Sequence, residues 1–197
     1  MRTVRFALAV YVGTVIGAAG YGQPNIPKQR IPSAIPVRVR QHIEKLYSLD
    51  PTQRASGAYS LGKMGEAAAR AVPFLVAMLH DNEPATWAVP TGVGGPRERT
   101  TAGIQAREAL ARIGKPAVGA LIAALGDAAP LVRARAATAL GVTRDPRSVG
   151  PLVSAVKDPE PSVGVAAMLA LAKVSALPAD QPPTGDLTED ERREVRE

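Results

Sequence analysis

Aliphatic residues recur at helical spacing in three segments that align with one another without gaps. The segments are 71–81, 117–127 and 148–158, and each ends in aspartate. In the first segment the apolar positions are Val72, Leu75, Val76 and Leu79. This i, i+3, i+4, i+7 order predicts a helix with one buried face. Because the same pattern returns twice, the chain contains an internal repeat.

A second apolar pattern precedes each segment and centres on a leucine. The leucines are Leu61, Leu110, Leu140 and Leu171, at intervals of 49, 30 and 31 residues. Four positions before them stand small residues: Gly57, Ala106, Ala136 and Ala167. Small side chains on this stripe let neighbouring helices approach closely. Each unit is therefore predicted to be a pair of antiparallel helices, with the fourth unit lacking its second helix.

Prolines mark where the first helices begin. Pro51, Pro130 and Pro161 stand at matching positions, and proline is well tolerated at the first position of a helix. Residues 37–49 are predicted to form an N-terminal capping helix. The long first interval indicates an insertion at residues 82–101, which contains Trp87, the single tryptophan. We interpret it either as a loop anchored by Trp87 over the seam between units one and two or as a recognition loop.

The repeat resembles a known family. Leu-Gly, a short turn, an aliphatic second helix, Leu-x-Asp, and then Val-Arg and Ala-Ala resemble the HEAT-like repeats of the phycobilisome-lyase type. The resemblance covers about residues 50–175, with 127–158 the closest match, and we assign the repeats to residues 50–177. It implies an all-α fold, a short α-solenoid or superhelix of HEAT-like helical hairpins. The motif is specific for architecture and not for function.

Some families that this repeat resembles are enzymes. The deoxyhypusine hydroxylase branch holds a di-iron centre with His-Glu dipeptides, but His42 is followed here by Ile43 and His80 by Asp81. No lyase-specific residue can be carried over either. We therefore predict no catalytic residue, no cofactor site and no metal site. An enzyme or enzyme accessory of the lyase-like branch remains the alternative.

The N-terminal residues 1–22 have the order of an export signal. Arg2 and Arg5 precede the eleven-residue apolar run 6–16, and small residues follow at 17–20. The run is short for a membrane span, which needs roughly 20 apolar residues. A retained short anchor and an ordinary core helix remain alternatives. We expect a protein exported to the periplasm, the cell envelope or the medium, with membrane contact only if this segment stays uncleaved.

Two further segments are predicted to lie outside the repeats. Residues 23–36 contain four prolines and are expected to be an extended tether rather than a folded element. Residues 178–197 carry seven acidic residues and three arginines, with only Leu187 and Val195 as large apolar residues. This acidic segment is expected to be a disordered tail.

Composition narrows the range of partners. The chain lacks cysteine, which excludes disulfides and thiolate chemistry. Its formal charge is +6, and without Arg2 and Arg5 it would be +4, with aromatic residues at only 4%. This is too weak a basic character for a nucleic-acid groove, so nucleic acid is not expected. An acidic protein or an acidic envelope surface remains a candidate.

Arginine and aspartate recur at the ends of the units. Arg54 and Arg133 each precede their leucine by seven residues, and Asp81, Asp127 and Asp158 close the units. We interpret them as an Arg–Asp ladder along the inter-repeat turns. The alternative is an anion-binding stripe, which is strongest in unit three because Arg133, Arg135, Arg144 and Arg147 stand there.

Phe74 and Met78 indicate where a partner would bind. Their positions are expected to face away from the first helices and to line the concave surface. The alternative is that this face is plain alanine surface. The candidate partner-binding residues are Phe74, Met78, Trp87, Arg133 and Arg135. Self-association through the uncapped last helix is a further expectation. The sequence thus favours an exported, non-catalytic interaction module or assembly scaffold.

Overall fold

The computed structural model describes residues 22–87 and 98–176, and helices dominate this part of the chain. The α-helices are α1 Val37–Lys45, α2 Pro51–Met64, α3 Val72–Ala77, α4 Ala102–Ile113, α5 Lys115–Ala124, α6 Pro130–Thr143, α7 Val149–Ala155 and α8 Pro161–Ser175. Short 3-10 helices cover Lys28–Arg30, Gly65–Ala71 and Pro146–Ser148. The strands are β1 Pro84–Trp87 and β2 Glu98–Thr101. The prediction of an all-α fold is confirmed, since the strands form one small ribbon.

The helices form two layers. The first helices α2, α4, α6 and α8 pack side by side in chain order, and the second helices α3, α5 and α7 pack against them. At the front, α1 packs against α2 and buries Val39 and Ile43. Each hairpin thus contacts mainly its neighbours in sequence, which is the organisation of an α-solenoid.

Local signals in the sequence explain where the helices begin and end. Asp50 caps α2, because its Oδ1 atom accepts a hydrogen bond of 2.8 Å from the backbone N–H of Thr52. Thr101 caps α4 in the same way through the N–H of Ile104. Gly65 and Gly114 end α2 and α4 with φ of +55° and +75°, a backbone region that favours glycine.

Two of the three seams between first helices are tight because glycine stands at the contact. A Cβ atom on Gly62 would lie 2.8 Å from Cα of Ala109, and one on Gly141 would lie 2.6 Å from Cα of Ala170. The equivalent residue of α4 is Ala111, which is half-buried. The extra methyl group keeps the α4–α6 seam more open than the other two.

Residues 22–36 differ from the predicted tether. Ile35 is buried, and Ile26 packs against the core. The Gln23 side chain donates a hydrogen bond of 2.9 Å to the carbonyl of Tyr47, and the Tyr47 hydroxyl donates one of 2.7 Å to the carbonyl of Ile26. The prolines restrict this segment, so fixing it costs little entropy, and the isoleucines between them supply apolar contact.

The insertion is bounded by two strands that were not predicted. β1 and β2 pair antiparallel, with Pro84 opposite Thr101 and Trp87 opposite Glu98. Ala85 is buried, and both strands pack against α2. The sequence indicated the insertion but not its strands, because four residues are too few for a clear alternating pattern.

Several predictions fall on residues 1–21, 88–97 and 177–197, which lie outside the described part. These residues hold nearly all of the expected export signal and the acidic segment. The Trp87 side chain also lies outside what is described, so its role as an anchor or a recognition residue stays a prediction. In residues 22–87 and 98–176, no helix is both long and apolar enough to cross a membrane.

Candidate functional site

The inter-repeat turns carry two Arg–Asp pairs. Arg54 Nε donates to Asp81 Oδ2 at 2.8 Å. Arg133 uses Nε and Nη2 to bind both carboxylate oxygens of Asp158, each at 2.7 Å. These two pairs of the predicted ladder are therefore confirmed. Asp127 has another role, because its Oδ1 accepts the backbone N–H of Ala129.

Arg54 is completely enclosed. Its Nη2 donates to Glu83 Oε2 at 2.7 Å, and its Nη1 donates to the carbonyls of Ser48 and Leu49. Burial alone would lower the pKa of Arg54, but the hydrogen bonds from Arg54 to Asp81 and Glu83 outweigh it and raise that pKa. The arginine holds the α1–α2 turn to the end of unit one and has no face open to a partner.

Arg133 is also engaged within the fold. Its Nη1 donates to the carbonyls of Asp127 and Ala128, in addition to the bidentate pair with Asp158. The hydrogen bond between Arg133 and Asp158 raises the pKa of the guanidinium and lowers that of the carboxyl. A free anion-binding stripe at this residue is therefore not what the structure shows.

Arg135 is buried, so its placement on an exposed basic stripe is wrong. Nη1 donates to the carbonyls of Leu79 and Asp81, at 2.6 and 2.9 Å, and Nη2 donates to Asn82 Oδ1 at 2.9 Å. Burial lowers the pKa of Arg135, and the nearby charge of Arg107 lowers it further. Arg135 ties α6 to the end of unit one.

A glycine in the repeat pattern marks the space that Arg135 fills. Arg54 and Arg133 stand seven residues before their leucines, but the matching residue of unit two is Gly103. A Cβ atom at Gly103 would collide with the Arg135 guanidinium. The arginine of the next unit thus enters the space that a missing arginine leaves.

Phe74 and Met78 do not lie on an open concave row. Phe74 is 4% exposed and Met78 is fully buried, which corrects the prediction for both. The physical reason for Phe74 is the N-terminal segment, since Ile26 and Ile35 line the same depression as Phe74. Neither residue can contact a partner unless the surrounding structure moves.

An open concave groove lies next to these residues, between the second helices of units one and two. It has a volume of about 520 Å³. Its main apolar lining residues are Ile26, Pro73, Val76, Ala77, Ala120, Ala123 and Val132. His80 and Asp127 supply polar groups at its rim. Ile26 and Pro73 also line the depression at Phe74, so the N-terminal segment crosses this face.

A second groove, the seam groove, lies on the first-helix side between α4 and α6. It has a volume of about 280 Å³. Its lining residues are Arg107, Glu108, Ala111, Arg112, Thr138, Ala139, Val142 and Lys173. Three of these are cations and one is an acid. The guanidinium of Arg112 lies 5.8 Å from the ring centre of Tyr59, within range of a cation–π contact.

The described residues show no metal-binding arrangement of His, Cys, Asp or Glu in groups of three or more. Burial lowers the pKa of His42, and the neighbouring charge of Lys45 lowers it further. His42 Nδ1 is buried and has no hydrogen-bond partner. His80 is exposed at the concave groove.

Comparison with known proteins supports the repeat architecture. A family model described as HEAT repeats matches residues 118–197. No curated protein matches the chain. The phycobilisome-lyase type is not confirmed and stays a resemblance. The match begins in α5 and covers α6, α7 and α8, and the helical hairpins upstream continue the same stacking, so the chain has an all-α, HEAT-like repeat fold.

Proposed function

We propose that this protein is a non-catalytic protein-interaction module or assembly scaffold that is exported to the cell envelope. HEAT repeats often mediate protein–protein contacts, because stacked hairpins create an extended concave surface. The concave groove is the observation that carries the proposal. Its lining is mostly small and apolar, and polar groups stand only at the rim.

The partner is expected to present an extended segment with prolines and aliphatic side chains. The protein's own residues 22–36 carry prolines and isoleucines on either side of the 3-10 helix Lys28–Arg30 and already lie on this face, with Ile26 forming one wall of the groove. The small side chains of Ala77, Ala120 and Ala123 leave room for a chain to continue along the second helices. A partner segment would therefore extend a contact whose chemistry the protein itself uses.

Export is supported by Arg2, Arg5 and the apolar run 6–16. N-terminal sequencing of the protein from its native cells tests it. A mature N-terminus close to Gly22 is expected, in a protein recovered from the periplasm, the envelope or the medium. A chain that begins at Met1 in the cytoplasm would contradict export and leave the interaction proposal in place.

Site-specific photo-crosslinking in the native cells tests the groove. A probe at Ala77 or Ala123 is expected to give one discrete protein adduct, and a probe at Gln53, exposed on α2, is expected not to give it. Ala123→Arg should remove the adduct at Ala77, because the long cation fills the groove.

Two outcomes would contradict the proposal. The first is that a probe at Gln53 gives the same adducts as the probes at Ala77 and Ala123. The second is the absence of any adduct together with a chromophore, metal or cofactor in the purified protein, which would favour the enzyme alternative.

Self-association through α8 rests on Val165, Met168 and Leu169, which are 50–61% exposed. A mass that rises with concentration is expected if this face pairs.

A further inference from the structure

The seam groove has a charge that the fold leaves uncompensated. Arg112 and Lys173 are exposed on its rim, while Glu108 forms an ion pair of 3.2 Å with Arg107. Thr138 is engaged as well, because its hydroxyl donates to the carbonyl of Ala134. The groove therefore carries an excess of two positive charges over a floor of alanine and valine.

The groove exists because the α4–α6 seam lacks the glycine of the other two seams. Ala111 stands where Gly62 and Gly141 allow direct contact between first helices. Its methyl group, together with that of Ala139, lines the groove. Lys173 of α8 reaches this groove because the neighbouring α6–α8 seam is tight.

The chain continues past α8 into its most acidic part. Ala176, the last described residue, stands three residues after Lys173. Residues 178–197 carry seven acids and three arginines, a net charge of −4. Five of these acids stand within 186–194. With at most about 3.5 Å per residue, the 15 residues from Ala176 to Glu191 span up to about 50 Å, and they start three residues after Lys173, which lines the groove.

We infer that the acidic segment 178–197 docks on the seam groove of its own chain. Its carboxylates face Arg112 and Lys173, and their attachment to the same chain gives them a high local concentration. The contact is electrostatic, so it weakens as salt shortens the Debye length from about 10 Å at 0.1 M to about 3 Å at 1 M. The inference concerns the first-helix side and does not rest on the proposed function of the concave groove.

The absence of cysteine permits a clean test by disulfide trapping in the full chain. One variant carries Val142→Cys and Glu191→Cys, and its control carries Val153→Cys and Glu191→Cys. Val142 lines the seam groove, whereas Val153 lies on α7, and the two are matched at 52% and 51% exposed. Both substituted positions are within reach of Glu191, and the charge-reversed variant tests whether a difference in rate depends on the cations of the groove.

At low salt, the 142–191 disulfide is expected to form within the monomer at least about tenfold faster than the 153–191 disulfide, as expected for a raised effective concentration. Adding Arg112→Glu and Lys173→Glu, or 1 M salt, should bring the two rates together. Equal rates at low salt would overturn the inference. A disulfide-linked dimer as the main product would also overturn it, because the occupant would then be a second copy of the chain.

Discussion

Unit one, at the front of the solenoid, and unit three, towards its back, each contain an Arg–Asp pair at equivalent positions, but the surroundings of the two pairs differ. Arg54 and Arg133 stand at equivalent positions and bind the aspartate that closes their own unit. The Arg54 and Asp81 side chains are both 0% exposed, whereas those of Arg133 and Asp158 are 13% and 10% exposed. The repeat thus determines that the arginine and the aspartate pair, and the segments that cover each pair determine how deeply it is buried.

The cover over the front pair comes from outside the repeat. Gly22 lies directly on it, with φ of +94°, and a Cβ atom there would collide with the Arg54 guanidinium. Glu83, between unit one and β1, adds a second carboxylate at 2.7 Å. Because burial weakens solvent screening, loss of one partner should cost more at the front pair than at the back pair.

The largest effect is expected for Asp81→Ala. It leaves the buried Arg54 guanidinium with Glu83 in place of two carboxylate partners, and removal of one partner of a buried pair costs about 3–5 kcal/mol of unfolding free energy. Chemical denaturation of the full chain measures the loss. Asp158→Ala is the matched variant, and its loss is expected to be clearly smaller. Equal losses would show that the cover over the front pair is unimportant.

The α2–α4 and α6–α8 seams provide a second comparison of front and back, because each contains a glycine at the equivalent contact. Gly62→Ala and Gly141→Ala each force a methyl group against the backbone of the next helix. Overpacking of this kind costs about 1–3 kcal/mol. Thermal unfolding should therefore show similar losses in both halves, unlike the losses at the two arginine pairs.

Gly119→Ala is the control for helix propensity. Gly119 lies inside α5, and nothing lies within 4 Å of a Cβ atom placed on it. The same substitution should there stabilise the protein by about 0.5–1 kcal/mol, because alanine favours the helix. If Gly119→Ala destabilised the protein as much as Gly62→Ala, close contact between helices could not be the reason for the loss at Gly62.

Alignment of the repeats within the chain predicted the helices and the Arg–Asp pairs that recur in the units. It did not predict contacts between a unit and segments outside it. Leu61 and Leu140 with the small residues before them located the first helices, and the Arg133–Asp158 pair followed from position alone. The burial of Phe74 depends on isoleucines some 40 to 50 residues upstream, which no periodic pattern connects to it. Arg135 was misplaced because its partners, Leu79 and Asp81, belong to another unit.

The smallest effect should come from acid acting on the back of the solenoid. The Arg133 side chain lowers the pKa of Asp158, and the Arg147 side chain lowers that of Asp145 to about 2. Both carboxylates are therefore harder to protonate in the folded chain than in the unfolded chain, where the pKa of aspartate is about 3.9. The contribution of each carboxylate to stability is complete above that value and is lost as the pH falls through its lowered pKa in the folded chain, which for Asp145 is about 2.

Arg133→Gln should make this loss shallower, since Asp158 then titrates more nearly as it does in the unfolded chain. The measurement is unfolding free energy against pH between about 5 and 2, at low salt, with Arg38→Gln on the exposed face of α1 as the control. The control should keep the wild-type slope. An unchanged slope in Arg133→Gln would mean that the back pair contributes no pH-dependent stability. The two pairs would then differ in kind, since only the enclosed Arg54 and Asp81 would stabilise the fold through their charge.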